Sequence, residues 1–495
     1  MAKNTNAADE RLNIKKTVLI GFGFMASSIA WAIYDPYVTT LLNGLLGKSD
    51  SIARWSDSLA DSSLVSSLSG LLSAPGSENA TGGAAFTLVP LLIGIIMTFD
   101  NVFGVIFQPA FGRLSDRCRS KWGKRRPFIF VGAPIAAVIF ALIPWMPNIP
   151  GIMVTIILFV FVMSLWRAPV VALMPDLTPP KLRSEGNAII NLCGGVASAI
   201  GLTAGTIVAG IAGVLSLEAK GENGNIPYVF LLGSVVMIIS TLVLRFFVQE
   251  PDSRLPVQHQ ATDGKAAAEI AAPKLHLRDL DKAPRRSLIF MLLCLFFLFS
   301  GANSIQTFFA LFAHEQLFPE LTAEQSAAKA TQMLLVFAVC SMLAAIPAGK
   351  CGKKFGRKKT ILSGLIAFMG VFLLYVLSKE ALQSNALIWI ALIIGGAANM
   401  FITVNTLPLV LEIGGLDKVG TFTGYYYTAT FSAQIAAPII YGVVRMFTGT
   451  YMSLFVYCPI MFALALLCIL SVKHGEVDRD AVEETVKELE LENAD

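Results

Sequence analysis

Gly112-Arg113-Leu114-Ser115-Asp116-Arg117-Cys118-Arg119-Ser120-Lys121-Trp122-Gly123-Lys124-Arg125-Arg126-Pro127-Phe128 packs seven Lys or Arg into seventeen residues and lies between two membrane-length apolar stretches. A basic run so placed marks a loop on the cytoplasmic side of a membrane. A degraded copy follows at Gly349 to Lys359, where Gly349 answers Gly112, Lys353 and Lys354 answer Asp116 and Arg117, and Gly356-Arg357-Lys358-Lys359 answers Gly123-Lys124-Arg125-Arg126. Two copies of one membrane unit therefore make up the chain.

Composition says the same. A chain of 495 residues that is 55% hydrophobic and 15% charged, with mean hydropathy +0.66, carries more apolar surface than soluble cores hold. About 20 apolar residues are needed to cross a hydrocarbon layer of ~30 Å. Twelve such segments run at roughly 17–42, 87–111, 127–147, 151–175, 186–214, 226–248, 287–313, 327–349, 359–378, 385–412, 419–447 and 450–473. Lys15, Lys16, the Arg113 to Arg126 loop, Lys181, Arg183, Arg285, Arg286 and the Lys350 to Lys359 loop all fall on one face, which places both termini in the cytoplasm. The formal charge of +4 is then a topology signal rather than a nucleic-acid one.

The expected organisation is a first six-helix half over 1–248, a cytoplasmic linker over 249–286, a second half over 287–473 and an acidic tail over 474–495 read as a solvated surface helix. A long external loop spans about 43–86, with a short helix around Ser51 to Leu72. Its Asn79-Ala80-Thr81 has the form of a glycosylation acceptor but is read as a chance triplet. The first apolar segment is too long for a removable signal peptide. The seven cysteines, at 118, 193, 294, 340, 351, 458 and 468, show no metal spacing. There is no phosphate-binding Gly-x-x-x-x-Gly-Lys-Ser/Thr loop, and His314-Glu315 lacks the second His of a metalloprotease helix. No enzyme, cofactor or metal is expected.

Charges inside the spans are few, and each costs at least a few kcal/mol at the bilayer centre. They are Asp35, Asp100 and Arg167. An arginine keeps its proton, so Arg167 requires a carboxylate or water, and Asp35 and Asp100 are at hand. The three form either a structural ion pair or the group that carries a coupling proton. The second half offers neutral groups instead: Asn303, Gln306, Asn399, Asn405, Tyr425, Tyr426, Tyr427 and Gln434. With Trp166, Asn187 and Asn191 from the first half, these suit a polyhydroxylated substrate, although each alone fits the role of helix-packing glue better.

The Gly-x-x-x-Asp-Arg pattern at Gly112 to Arg117 resembles the loop after the second helix of major facilitator superfamily transporters. Gln108-Pro109-Ala110-Phe111-Gly112 running into Ser115 to Ile129 resembles, more narrowly, the sucrose/maltose proton symporters within the glycoside-pentoside-hexuronide cation symporters. Trp31-Ala32-Ile33-Tyr34-Asp35-Pro36 is similar to that group's first helix with its acid displaced by one place, where this chain has Tyr34. Arg167-Ala168 before Pro175-Asp176-Leu177 resembles the fourth. The resemblance implies the major facilitator fold, all-α with 12 transmembrane helices. It also implies a cytoplasmic latch of Gly112, Asp116, Arg117 and Arg126, with Asp176 and Glu412 as partners. In the sodium-using relatives an acid precedes the helix-two proline; here Gln108 stands there, and one carboxylate fewer weakens a sodium site.

The expectation is a monomeric plasma-membrane carrier, bathed in lipid, that imports a di- or oligosaccharide or related glycoside with protons. Tyr34 and Gln108 join the substrate-binding candidates. The rivals are a sodium-coupled or facilitative sugar carrier, an exporter of small apolar compounds, and a sugar sensor that moves nothing.

Overall fold

The computed structural model describes residues 12–72, 86–179, 182–215, 223–253, 282–377, 386–414 and 419–473. Among them there is no strand. The helices are α1 Ile14–Gly47, α2 Asp50–Ala60, α3 Ser63–Leu72, α4 Val89–Met97, α5 Phe99–Asp116, α6 Arg126–Leu142, α7 Ile149–Leu177, α8 Arg183–Leu215 and α9 Ile226–Phe247. Then come α10 Lys282–Phe312, α11 Ala323–Phe355, α12 Arg357–Leu377, α13 Ala386–Gly414, α14 Val419–Thr448 and α15 Leu454–Leu470.

Eleven described helical stretches are long and apolar enough to cross a bilayer. The remaining expected span is α12, whose 21 residues reach ~32 Å at 1.5 Å per residue. Helix α1 starts where the Asn13 side chain accepts the Lys16 N–H, and α7 where Asn148 accepts the Gly151 N–H at 2.8 Å, the Asx caps expected at such ends. The segment between α1 and α4 holds two short helices, not one, because the pattern breaks at Asp61-Ser62. The triplet at Asn79, most of the linker and the acidic tail lie outside the described residues.

The chain divides into two compact units that do not follow its midpoint. One unit takes the residues up to Thr262 together with Gln306–Leu335 and Pro438–Tyr451; the other takes Asp263–Ile305, Val336–Ala437 and the residues from Met452 onward. In the first unit α1 packs on α8 and α9, and α7 on α5 and α6. Its core is an aromatic run in which Tyr34 stacks on Phe159 (5.6 Å) and Phe159 meets Phe140 (5.1 Å), which meets Phe230 (4.5 Å). In the second unit α12 packs on α13 and α15 around Phe368, Phe462, Phe372 and Phe455.

The segments from the second half of the sequence join the first unit because two backbones touch. A Cβ on Gly94 in α4 would lie 2.2 Å from the Pro438 carbonyl oxygen, and one on Gly442 in α14 would lie 2.7 Å from that of Pro90. Only glycine permits such an approach. Gln332 adds a hydrogen bond to the Thr206 hydroxyl, and Phe86 meets Phe447 at 5.7 Å.

Candidate functional site

Two constellations stand out in the first unit, one of charges within the spans and one at the basic loop. Asp35 sits beside Pro36 inside α1, where proline removes one backbone donor. One turn on, the Thr39 hydroxyl donates to the backbone carbonyls of Asp35 and Pro36, and the Thr40 hydroxyl to that of Pro36. Asp100 lies in the first turn of α5, just past the break at Thr98 that separates it from α4, so its carboxylate faces the positive end of a helix. Its Oδ1 accepts the Asn101 N–H (2.6 Å) and side-chain amide (2.8 Å). Spacing along the sequence shows the acid; the helix break that fixes it emerges only in three dimensions.

Arg167 on α7 is half-buried and lies within electrostatic range of both Asp100 and Asp35. Its guanidinium lies over the Trp31 ring, 5.5 Å from the centroid, a cation–π contact. Among the described residues it makes no direct ion pair with either acid. Asp35 has a nearer partner: the Gln306 side-chain amide donates to Oδ2 at 3.2 Å. Tyr34, wholly buried, packs edge-on to Trp31 at 5.4 Å, and among the described residues its hydroxyl has no hydrogen-bond partner. The expected trio is thus one neighbourhood of three charges, joined by Gln306, a residue selected from sequence for substrate binding.

The other candidates are spread out. Trp166 is fully buried, with its Cβ against Gly132 of α6, whereas Gln108 is half-buried and Asn187 and Asn191 are exposed on α8. In the second unit Asn405 is buried and donates to the Ala348 and Phe401 carbonyls, so its amide joins helices. Asn303 donates to Phe299 in its own helix. Asn399, Tyr425 and Gln434 are half-buried, and the Tyr426 hydroxyl lies 3.4 Å from that of Thr406.

At the basic loop the organising residue is Arg125. It donates to Asp176 at 2.8 Å, pairs with Asp116, and reaches the Ser115 hydroxyl and the Gly112 carbonyl. Burial works against its charge, but the hydrogen bond and charge of Asp176, followed by those of Asp116, outweigh it and hold its pKa above the ordinary arginine value. Glu250, three residues past the end of α9, accepts the N–H groups of Arg125 (2.9 Å) and Arg126 (3.2 Å), satisfying donors that the start of α6 leaves open. Ser253 accepts the Ser120 N–H at 2.8 Å. Gly123 has φ +96° and no room for a Cβ beside Glu250. Arg126 turns to the Arg245 carbonyl (2.7 Å), and Arg117 is exposed. Sequence reading passed over Arg125 and Glu250; an acid immediately after a span, facing a basic loop, was the available signal.

The second unit repeats the device. Gly356 has φ +94°, Arg357 pairs with Glu412 at 2.8 Å, and Lys358 donates to the Leu470 and Val472 carbonyls. By contacts, Arg357 and Lys358 answer Arg125 and Arg126, one place off the sequence alignment.

A sequence profile of the Major Facilitator Superfamily matches residues 19–438 and 317–491. The chain is 28% identical over 174 residues to the sucrose transport protein SUC3 of Arabidopsis thaliana, covering 30% of this chain and 29% of that protein. It is 27% identical over 134 residues to the membrane-associated transporter protein of Homo sapiens, covering 23% and 25%. The chain thus spans under a third of the length of these curated relatives. Among solved structures, the nucleoside transporter NupG superposes with TM-score 0.62 at 13% identity, over 94% of this chain and 100% of that one. A D-xylose-proton symporter gives 0.59 at 14%, over 93% and 97%; at these identities the likeness is one of fold.

Proposed function

We propose that this chain, which belongs to the Major Facilitator Superfamily, a superfamily of transporters rather than enzymes, imports a di- or oligosaccharide or related glycoside together with protons by alternating access. The observation that carries the reading is the neighbourhood of Asp35, Asp100 and Arg167. Two carboxylates share electrostatic range with one arginine, and one of them is held by a neutral amide, Gln306. A carboxylate that takes a proton loses its attraction for Arg167, so protonation and side-chain rearrangement are linked. A ligand that also competes for Gln306 would couple to the same event. Gln108 in place of an acid before Pro109 supports protons over sodium. The similarity to sucrose transport proteins supports a sugar substrate, and the neutral Asn399, Tyr425 and Gln434 suit its hydroxyls.

The carrier is read as a monomer in the cell membrane with both termini in the cytoplasm. The clasp of Arg125 on Asp176 and Asp116, with its counterpart Arg357 on Glu412, is read as a latch that stabilises one of the two access states. The test is sugar-triggered proton movement. Adding sucrose, maltose or a glycoside to weakly buffered proteoliposomes should raise the external pH as protons enter with sugar. Sugar uptake that leaves the pH unchanged and requires sodium would replace this reading with the sodium-coupled one.

A further inference from the structure

Tyr34 sits among the charges of the first unit with nothing to bond. It is 0% exposed, packed between Trp31 at 5.4 Å and Phe159 at 5.6 Å, which leaves no room for a sugar against it. Its hydroxyl is a buried polar atom without a hydrogen-bond partner among the described residues. Gly47, the nearer end of α1, is ~20 Å away at 1.5 Å per residue, so helices rather than loops enclose the ring. A buried donor left open is costly and rare in native proteins, and an acceptor in another state of the molecule is expected.

The neighbouring helices leave one suitable acceptor. Asp100 acts on the Tyr34 hydroxyl more strongly than Asp35 does, although Asp35 is the next residue in the chain, because successive side chains on a helix do not face each other. Asp35 is already held through Oδ2 by Gln306. Asp100 receives both Asn101 bonds on Oδ1, and among the described residues its Oδ2 accepts none. The other titratable groups on the helices around α1 are engaged or distant. Arg167 of α7 lies over Trp31, Cys193 of α8 packs its sulfur on Gly21, Tyr228 and Arg245 stand at the two ends of α9, and α4 has none. Tyr37 is one turn further along α1, and the charges of α2 lie past its end. We propose that Tyr34 is a positioning residue for the proton: its hydroxyl donates to Oδ2 of ionised Asp100 and lets go when Asp100 is protonated, which sets the pH at which the carrier loads. A neutral carboxyl is the weaker acceptor, so the bond follows the charge. This role rests on the proton-coupled reading, and it makes Asp100 rather than Asp35 the acid that loads.

Protonation can be read apart from transport. Dicyclohexylcarbodiimide, an apolar reagent, adds to a protonated carboxyl within a membrane and leaves an N-acylurea that peptide mass spectrometry locates. In proteoliposomes of the full chain, labelling of Asp100 against pH gives a midpoint. Tyr34→Phe keeps the ring and removes only the hydroxyl, and monodispersity checks its fold. An ionised Asp100 that has lost a donor takes a proton more readily, so its midpoint should move to higher pH by about one unit while that of Asp35 stays in place. Sugar uptake should extend to higher pH by the same interval, with the half-saturating sugar concentration at acidic pH unchanged. Superimposable Asp100 curves for wild type and Tyr34→Phe would overturn the proposal, as would equal movement at Asp35 or an Asp100 that is labelled at no pH. Weakened sugar affinity with both midpoints unmoved would make Tyr34 a sugar contact instead. Wild-type uptake indifferent to pH, even beside a shifted Asp100 midpoint, would contradict the proton-coupled reading itself and take the loading role with it.

Discussion

Arg125 is the residue on which most of the loop geometry converges. Its side chain is 9% exposed against 55% for Asp116 and 38% for Asp176, so the pair with Asp176 is the better shielded of the two. Hydrogen bonds to charged groups contribute about 1.5–3 kcal/mol, whereas exposed pairs contribute ~0–1 kcal/mol. Arg125→Ala should therefore change the rate of sugar exchange more than Arg117→Ala, while sugar affinity in both stays within about tenfold, or ~1.4 kcal/mol. Equal effects of the two variants on exchange would remove Arg125 from its central place. Within the spans, Asp35→Asn and Asp100→Asn keep side-chain size but cannot gain or lose charge. If either acid carries the proton, its Asn variant should lose accumulation driven by a pH gradient yet still exchange internal for external sugar. Arg167→Gln is the contrast: two acids left without their cation in the membrane should impair binding or folding too. The acids and Arg167 were legible in sequence because charge in an apolar run stands out. Gln306, an amide among many, took its meaning only from the 3.2 Å contact with Asp35.

Among the helices, the crossing of α4 and α14 depends on two side chains that are absent. Gly94→Val would press a branched side chain into the Pro438 carbonyl 2.2 Å from its Cβ, an obstacle of backbone that cannot rotate away. The crossing should open, and cysteines placed at Phe86 or Phe447 should react faster with impermeant thiol reagents while transport falls. Unchanged labelling would mean that the crossing is not what holds these segments together. Helix positions were readable from apolar length; the crossing was not, since Gly94 and Gly442 resemble any small residues in a span. Nor was the break at Thr98 before Asp100, or the one-place offset between the two loops, where Arg357 and Lys358 do by contact what Arg125 and Arg126 do. An alignment on Gly123 and Gly356 conceals that offset because the helix begins at once after Gly356 but three residues after Gly123.

For the whole molecule, the basic loops at Asp116 and Lys353 set the expected topology. External cysteine labelling should reach positions in the Ser51 to Gly83 loop and miss those in the linker from Glu250 to Pro284; the opposite pattern would invert the chain. Fold and family were legible from composition and from one repeated loop, because membrane thickness dictates span length and positive charge dictates sidedness. The substrate was not, because hydrogen-bonding amides and tyrosines serve helix packing and sugar binding alike, as Asn405 illustrates by joining two helices. The central claim is that a proton gradient drives sugar uphill through this protein. Purified carrier in liposomes, jumped to an acidic exterior, should concentrate at least one of a panel of labelled sucrose, maltose and glycosides with no sodium present, and a protonophore should abolish the accumulation. Uphill uptake that ignores the pH jump and appears only with sodium, or mere equilibration under every gradient, would contradict it.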